Sequence, residues 1–339
     1  MAGNANLGAA KAAKNDEFYT QWNDIKNEMQ AYLEHNPNVF RGKTILLPCD
    51  DPDWSNFTKY FTEHFEQLGL KKLISTSYAA DGGNGKVFVL GGENGPQWGY
   101  LAGDGDFRSD EVTALRDEAD MVITNPPFSL FREFMVWLVE GGVEFSVIGN
   151  MNTIACKEIF PLIKGNEMWL GASRMGAKCF ALPSGAPVKA NQYEENGVRF
   201  QKFGNIAWFT NIQHGRRNEP LPLMTMGDNL RYNKRIMGSP NSYKNYDNYD
   251  AIEVPFTSGI PSDYEGVMGV PVSFLDKYNP EQFEMIGISD GTFAASLGVK
   301  PLGPEYEGNV GRTKLGLAST RKAVFRRIII RHRNPETGS

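Results

Sequence analysis

Cysteine is scarce in this chain. Cys49, Cys156 and Cys179 are the only three in 339 residues. They lie far apart and make no CxxC or metal-ligand spacing, which argues against a disulfide scaffold or zinc ribbon and fits a reducing cytoplasm. Histidine is also sparse. His35, His64, His214 and His332 are scattered, so neither a metal site nor a histidine-based catalytic triad is expected. No apolar run approaches the ~20 residues of a membrane span. The opening stretch, MAGNANLGAAKAAKNDEFY, has no apolar signal core, so secretion is not expected. Basic charge is not in excess either. The net charge of −5 argues against a nucleic-acid partner, an argument that the distribution of charge softens.

What is present is ordinary in bulk: 41% hydrophobic and 22% charged residues, enough for a full core in one large domain or two. Charge is unevenly placed. From Val310 onward, Arg312, Lys314, Arg321, Lys322, Arg326, Arg327, Arg331 and Arg333 face one acid, Glu336. A second basic stretch holds His214, Arg216, Arg217, Arg231, Lys234 and Arg235. Local basic faces on an acidic protein are compatible with phosphate binding; solvated surface charge is the plainer alternative.

The most informative stretch is DMVITNPPFSLF, Asp120 to Phe131. Met121 to Thr124 suit a short buried strand. Asn125, Pro126, Pro127 and Phe128 cannot continue it, because two prolines lack N–H donors and hold φ near −65°. Ser129 is expected to cap a helix bearing Phe131, Phe134, Met135 and Leu138 at helical spacing. An amide, proline carbonyls and an aromatic ring thus meet at the carboxyl end of a strand, where open α/β sheets bind ligands. Those groups suit a planar amine. The Asn125 oxygen accepts one N–H, the Pro126 carbonyl the other, and Phe128 stacks on the ring, worth about 1–3 kcal/mol per base. Two acceptors favour a tetrahedral, nucleophilic nitrogen that attacks a methyl donor without a strong general base. The turn Asn125-Pro126-Pro127-Phe128 is therefore the candidate catalytic element.

The chain before it reads as strand, loop, helix. Lys43 to Leu47 is a strand ending in Pro48, Cys49, Asp50, Asp51 and Pro52, and a helix with Phe57, Tyr60, Phe61 and Phe65 follows. Asp50 and Asp51 suit the cationic amine of a ligand, or merely the cap of that helix. Lys72 to Tyr78 reads as a second strand and Asp81 to Gly99 as a Gly-rich hairpin. Asp106 and Phe107 sit in a Gly-rich turn, where they suit an adenine ring or simply a surface turn. Strands are expected at Glu144–Gly149, Glu167–Leu170, Lys178–Leu182 and Asn205–Asn211. From Ile212 onward, prolines, Asn and Tyr dominate. Tyr232, Tyr243, Tyr246 and Tyr249 are candidates for stacking, and Asn241, Asn245 and Asn248 for reading base edges. Closing strands are expected at Phe283–Ser289 and Ala323–His332.

The blocks KNDEFYTQW, LLPCDDPDWSNF, GDGDF, TNPPFSLFREF, WFTN and GVPVSFLDKYNPEQFEMIG span nearly the whole chain. In that order they resemble the EcoRI-type adenine-specific DNA methyltransferases. The resemblance implies an α/β fold: a Rossmann-like, doubly wound sheet that binds S-adenosyl-L-methionine, with a C-terminal irregular target-recognition region. The small, polar, Gly/Ala/Asn-rich stretch over 1–14 reads as a mobile arm; the resemblance makes 15–211 the catalytic domain and 212–339 the DNA-binding region. It implies methyl transfer to N6 of an adenine flipped out of double-stranded DNA. A restriction-modification member implies a cognate restriction endonuclease acting on the same site; an orphan implies none. Carried over residue by residue, Phe18, Tyr19 and Thr20 look like the N-terminal cofactor motif. Pro48, Cys49, Asp50 and Asp51 replace the usual glycine-rich first loop, and Asp106 and Phe107 look like adenine-side cofactor contacts. Two departures stand out. PCDDP has no glycine, and LISTSY ends without the acid that normally holds the ribose, leaving Ser75, Thr76 or Ser77 as substitutes. An RNA or protein-amide methyltransferase, and a catalytically silent DNA-binding protein, are the competing functions.

Overall fold

The structure is a computed structural model that describes residues 19–92, 95–173, 176–182, 192–308 and 314–336. Phe18, the arm over 1–14 and Arg312 lie outside the described residues. Two compact units emerge, one within Met1–Thr153 and Met168–Gly215, the other within Ile154–Glu167 and Arg216–Ser339.

The first unit is built on one mixed sheet. Its strands are β1 (Tyr19–Thr20), β2 (Thr44–Leu47), β3 (Lys72–Thr76), β4 (Lys86–Leu90), β5 (Gln97–Tyr100), β6 (Met121–Thr124), β7 (Glu144–Asn150), β8 (Trp169–Leu170), β9 (Gly176–Ala181), β10 (Gln192–Glu195) and β11 (Val198–Thr210). The main path runs β1-β9-β11-β7-β6-β2-β3-β4-β5. The centre is parallel: β2 pairs with β3 and β6, and β6 with β7. All four residues of β2 and of β6 are buried, as expected where a parallel sheet is covered on both faces. Antiparallel strands finish both edges, with β4 and β5 as the Gly-rich hairpin and β11 against β7.

The helices cover both faces. α1 (Trp22–His35) and α2 (Asn56–Glu63) place Ile25, Met29, Tyr32, Phe57 and Phe61 in one cluster with Ile45, Leu47, Ile123 and Trp208. Each such side chain contributes roughly 1.5–3 kcal/mol on burial. On the other face lies α4 (Phe131–Gly141), which follows α3 (Asp110–Glu118) in the chain. Its Phe131 sits against Phe209, centroids 5.3 Å apart, and over Gly149, where a Cβ would collide with the ring. Ser109 caps α3 by accepting from the Val112 N–H. The expected cap at Ser129 is corrected: Phe128–Leu130 form a 3₁₀ turn closed by Leu130 N–H on the Pro127 carbonyl, so α4 starts at Phe131 with Leu130 at its N-cap. The fixed φ of Pro127 favours that tighter turn.

Order and direction place the functional end. From β2 the chain steps to β3 on one side and, later, to β6 on the other. The reversal falls between β2 and β6, and the crevice it leaves opens at their carboxyl ends.

The second unit centres on a four-stranded sheet. β12 (Ile252–Glu253), β13 (Val267–Pro271), β14 (Phe283–Ile288) and β17 (Arg327–His332) run in the order β12-β13-β17-β14, beside a hairpin of β15 (Gly316–Leu317) and β16 (Lys322–Ala323). Both closing strands are thus present. Much of the C-terminal basic stretch is spent internally. Lys314 and Arg326 pair with Asp290, and Arg327 pairs with Glu253 at 2.6 Å. Two residues named as DNA contacts are structural instead. Tyr246 is buried and donates to Glu253. Buried Asn248 donates to the Lys300 and Lys314 carbonyls, both at 2.6 Å, and accepts from Gly316 N–H. Strand and loop backbone in a small sheet needs such partners. Among the described residues, no helix is long and apolar enough to cross a membrane.

Candidate active site

A cavity of about 540 Å³ opens at the β2/β6 crevice in the first unit. That volume is in the range of small-ligand and cofactor sites. It brings together Tyr19, Thr20, Pro48, Cys49, Asp50, Asp51, Asp106, Phe107, Asn125 and Pro127. The structure therefore gathers segments up to about a hundred residues apart in the chain. Pro126 is buried and Phe128 half-buried, and neither lines the cavity.

Asp50 is its structural centre. It is 6% exposed, and its two carboxylate oxygens accept from the Ser55 and Thr124 hydroxyls at 2.7 and 2.6 Å. Its N–H donates to the Thr76 carbonyl and its carbonyl accepts from Ser75 Oγ at 2.6 Å. One residue thus ties the end of β2 to β3, to β6 and to the α2 cap, since Ser55 also accepts from Phe57 N–H. Burial pushes the carboxyl up to about 7, against the two hydroxyl donors that pull it down.

Asp51 is more open. It accepts from Lys86 Nζ at 3.1 Å, and the same ammonium pairs with Asp53. Lys86 is a residue that sequence reasoning missed. It reaches the site because β4 returns antiparallel beside β3, a long-range consequence without a local signal. Trp54, Tyr78, Asn84 and Tyr100 also line the cavity. Trp54 lies inside the block LLPCDDPDWSNF, and its ring sits 3.9 Å from that of Tyr19.

Asp106 accepts from Arg108 on both carboxylate oxygens, at 2.9 and 2.6 Å, and Arg108 reaches Glu133 at 2.7 Å. Phe107 is 4% exposed and meets Phe134 and Trp137 edge-on at 4.9 and 5.6 Å. This packing fixes the turn before α3. Gly105 permits it, at φ +82°, with a Cβ that would collide with the Ser77 carbonyl. Gly105→Ala is expected to lower both Tm and cofactor-induced stabilisation, because it forces αL strain and moves the β3 exit together. A melt with and without cofactor checks this; an unchanged pair of melting temperatures refutes it.

Of the proposed ribose substitutes, two are engaged elsewhere. Ser75 Oγ and Thr76 Oγ1 donate to the carbonyls of Asp50 and Pro48, are buried, and do not line the cavity. Ser77 does line it, and its Oγ accepts from Lys86 N–H. The Phe128 ring meets Phe180 and Phe203 edge-on, at 6.1 and 5.9 Å.

The lining suits a polar, cationic, ring-bearing ligand. Four carboxyl groups and a single ammonium, that of Lys86, line the cavity, together with several aromatic rings. Thr20 is 4% exposed, and among the described residues its hydroxyl has no hydrogen-bond partner. Such a group costs about 1–3 kcal/mol unless a ligand completes it.

Comparison with known proteins gives the family. The family model for the adenine-specific methyltransferase EcoRI matches residues 6–90 and 92–333. The type II methyltransferase M.EcoRI of Escherichia coli is 41% identical over 328 residues, covering 90% of this chain and 97% of that protein. The type II methyltransferase M.MpnI of Mycoplasma pneumoniae is 38% identical over 281 residues, covering 82% and 83%. No solved structure gives a significant match. A match that runs through the cavity-lining segments and on through the second unit is a match of the whole chain, and the chain belongs to the EcoRI family of adenine-specific methyltransferases.

Proposed function

We propose that this methyltransferase uses S-adenosyl-L-methionine to methylate N6 of an adenine extruded from duplex DNA, at a specific sequence, as a restriction-modification or orphan enzyme. The observation that carries this reading is the meeting of Asn125 and Pro127 with the cofactor candidates in one cavity at the β2/β6 crevice. The first unit, a Rossmann-like doubly wound sheet in this reading, does the chemistry. The second unit supplies target recognition. Extrusion is a physical requirement, because the amine is paired and stacked within the duplex.

The residues divide the work. Tyr19 and Thr20 cover the cofactor, and the Thr20 hydroxyl gains its partner from it. Asp50 and Asp51, at the end of β2, favour its positive charge. Phe107 and Asp106 bound the adenine end. When bound, S-adenosyl-L-methionine supplies an electrophilic methyl on a sulfonium. Asn125 Oδ1 and the Pro126 carbonyl each accept one N–H of the target amine and turn its lone pair outward. Pro127 holds the turn rigid, and Phe128 stacks on the base. No strong base is required, because the excess proton leaves only after the nitrogen has become a cation. The gain is positional and electrostatic.

The direct test is transfer of labelled methyl to unmethylated genomic DNA, followed by mapping. Label is expected at adenine N6 within one short sequence. Label on RNA or on a protein amide instead, with none on DNA, would sink this reading.

A further inference from the structure

Three exposed cations of the second unit sit close together on one short element. Met226–Tyr232 and Lys234–Met237 are two helices separated by Asn233. Asn229 and Ile236 are fully buried and anchor the inner side. Asn229 donates to the Met224 and Thr225 carbonyls at 3.1 and 3.2 Å. Asn233 is held as firmly, donating to Asn229 Oδ1 and to the Ser258 carbonyl at 3.0 and 2.9 Å while capping the second helix. The outer side is the reverse in character. Arg231, Lys234 and Arg235 are exposed, and among the described residues none of them has an acidic partner. Arg235 instead rests on the Phe256 ring, 4.3 Å from its centroid, which steadies it without cancelling its charge. Tyr232, between them, is 69% exposed.

Arg216 pairs with Asp276, and Arg217 is buried and donates to Asn166. Lys314, Arg326 and Arg327 are likewise engaged. On a chain of net charge −5, three uncompensated cations on a rigid, hydrogen-bonded base form a built positive surface. Its complement is a line of phosphates. Arg and Lys neutralise them, and a tyrosine hydroxyl between them adds a hydrogen bond to the same backbone.

We propose that Arg231, Lys234 and Arg235, with Tyr232, dock the sugar-phosphate backbone of duplex DNA. This rests on the DNA reading above and specifies where that DNA is gripped. A contact to phosphate positions the duplex without reading its sequence.

The test uses the full chain and a short unmethylated duplex that the wild-type protein methylates. The triple variant Arg231→Ala, Lys234→Ala, Arg235→Ala is expected to keep the wild-type Tm and cofactor-induced thermal shift. Its plot of log Kd against log salt is expected to flatten by about 2–3, since each lost phosphate contact removes about 0.9 of slope. Methylation should stay at the same sequence. Lys234→Arg alone should retain the wild-type slope, and Tyr232→Phe should weaken binding with the slope unchanged. An unaltered slope and Kd in the triple variant overturn the proposal, as does equal loss of binding at all salt concentrations. Failure of the DNA reading looks different: the wild-type protein then methylates no duplex at all.

Discussion

Asn125→Ala is expected to lower methyl-transfer turnover by about 10²- to 10³-fold, while the thermal shift given by cofactor stays within a degree or two of wild type. The magnitude is that of deleting one pre-organised polar group aimed at developing charge. Asn125 is half-buried at the carboxyl end of β6, between Thr124 and two prolines. Its backbone is held by the Thr124 hydroxyl on Asp50 before it and by the turn of Pro127 and Leu130 after it. Truncating the side chain leaves that frame standing, so folding and cofactor binding persist. What is lost is an acceptor needed most as the amine nitrogen becomes cationic, and a group used chiefly in the transition state shows in turnover. Single-turnover transfer to DNA, measured beside a thermal melt, separates the two. Near-normal turnover would remove Asn125 from the mechanism. Large loss of cofactor binding would make it a structural residue.

The second large effect concerns Asp50 and pH. Its carboxyl is raised from 3.8 to about 7 in the folded chain, with burial as the main cause. Between those values the folded protein holds a proton that the unfolded chain has released. Folded stability therefore falls as pH rises from about 4 to 7, and the loss is complete above 7. On the order of 4 kcal/mol is involved. Asp50→Asn keeps the shape of the neutral acid and gives Ser55 and Thr124 partners, since each hydroxyl can donate or accept. The variant should show a flatter pH–stability curve and unfold later than wild type at pH 8. Cofactor affinity should move the other way. A cationic ligand favours the ionised carboxyl, so wild-type affinity is full above pH 7 and declines below it, by at most tenfold per pH unit. In Asp50→Asn that dependence should vanish and affinity should be low throughout. Denaturant melts and calorimetric titrations at pH 5, 6, 7 and 8 check both. A flat wild-type stability profile would refute the buried acid; equal cofactor affinity in the variant would take Asp50 out of the binding site.

Asp50 also shows how differently individual residues reveal themselves. Its position after an apolar strand pointed to the ligand end of a sheet, and it lines the cavity. That the same carboxylate fastens Thr124 and Ser55 was invisible, because the partners lie 74 and 5 residues away and only β-sheet register brings the first of them alongside. Lys86 had no local mark at all, and its place depends on one antiparallel return. The basic stretches misled in the opposite sense. Charge is legible in a sequence, but whether a charge is free is a matter of what packs against it, and Asp290 and Glu253 absorb three of the eight C-terminal cations.

Local chemistry, then, is what the sequence by itself determined. Apolar β-branched runs made the central strands, and two prolines ended β6. Each depends on neighbours within a few residues, so each can be read from a short window. The blocks along the chain also carried the family. Only the tertiary structure decided which way the strands run, that the reversal falls between β2 and β6, and that ten of the thirteen named residues face one cavity. It alone separated Arg231, Lys234 and Arg235, left open, from Arg327, Lys314 and Asn248, closed inside. The reason is physical: burial and pairing are properties of contacts between distant segments, and those form only when the chain has folded.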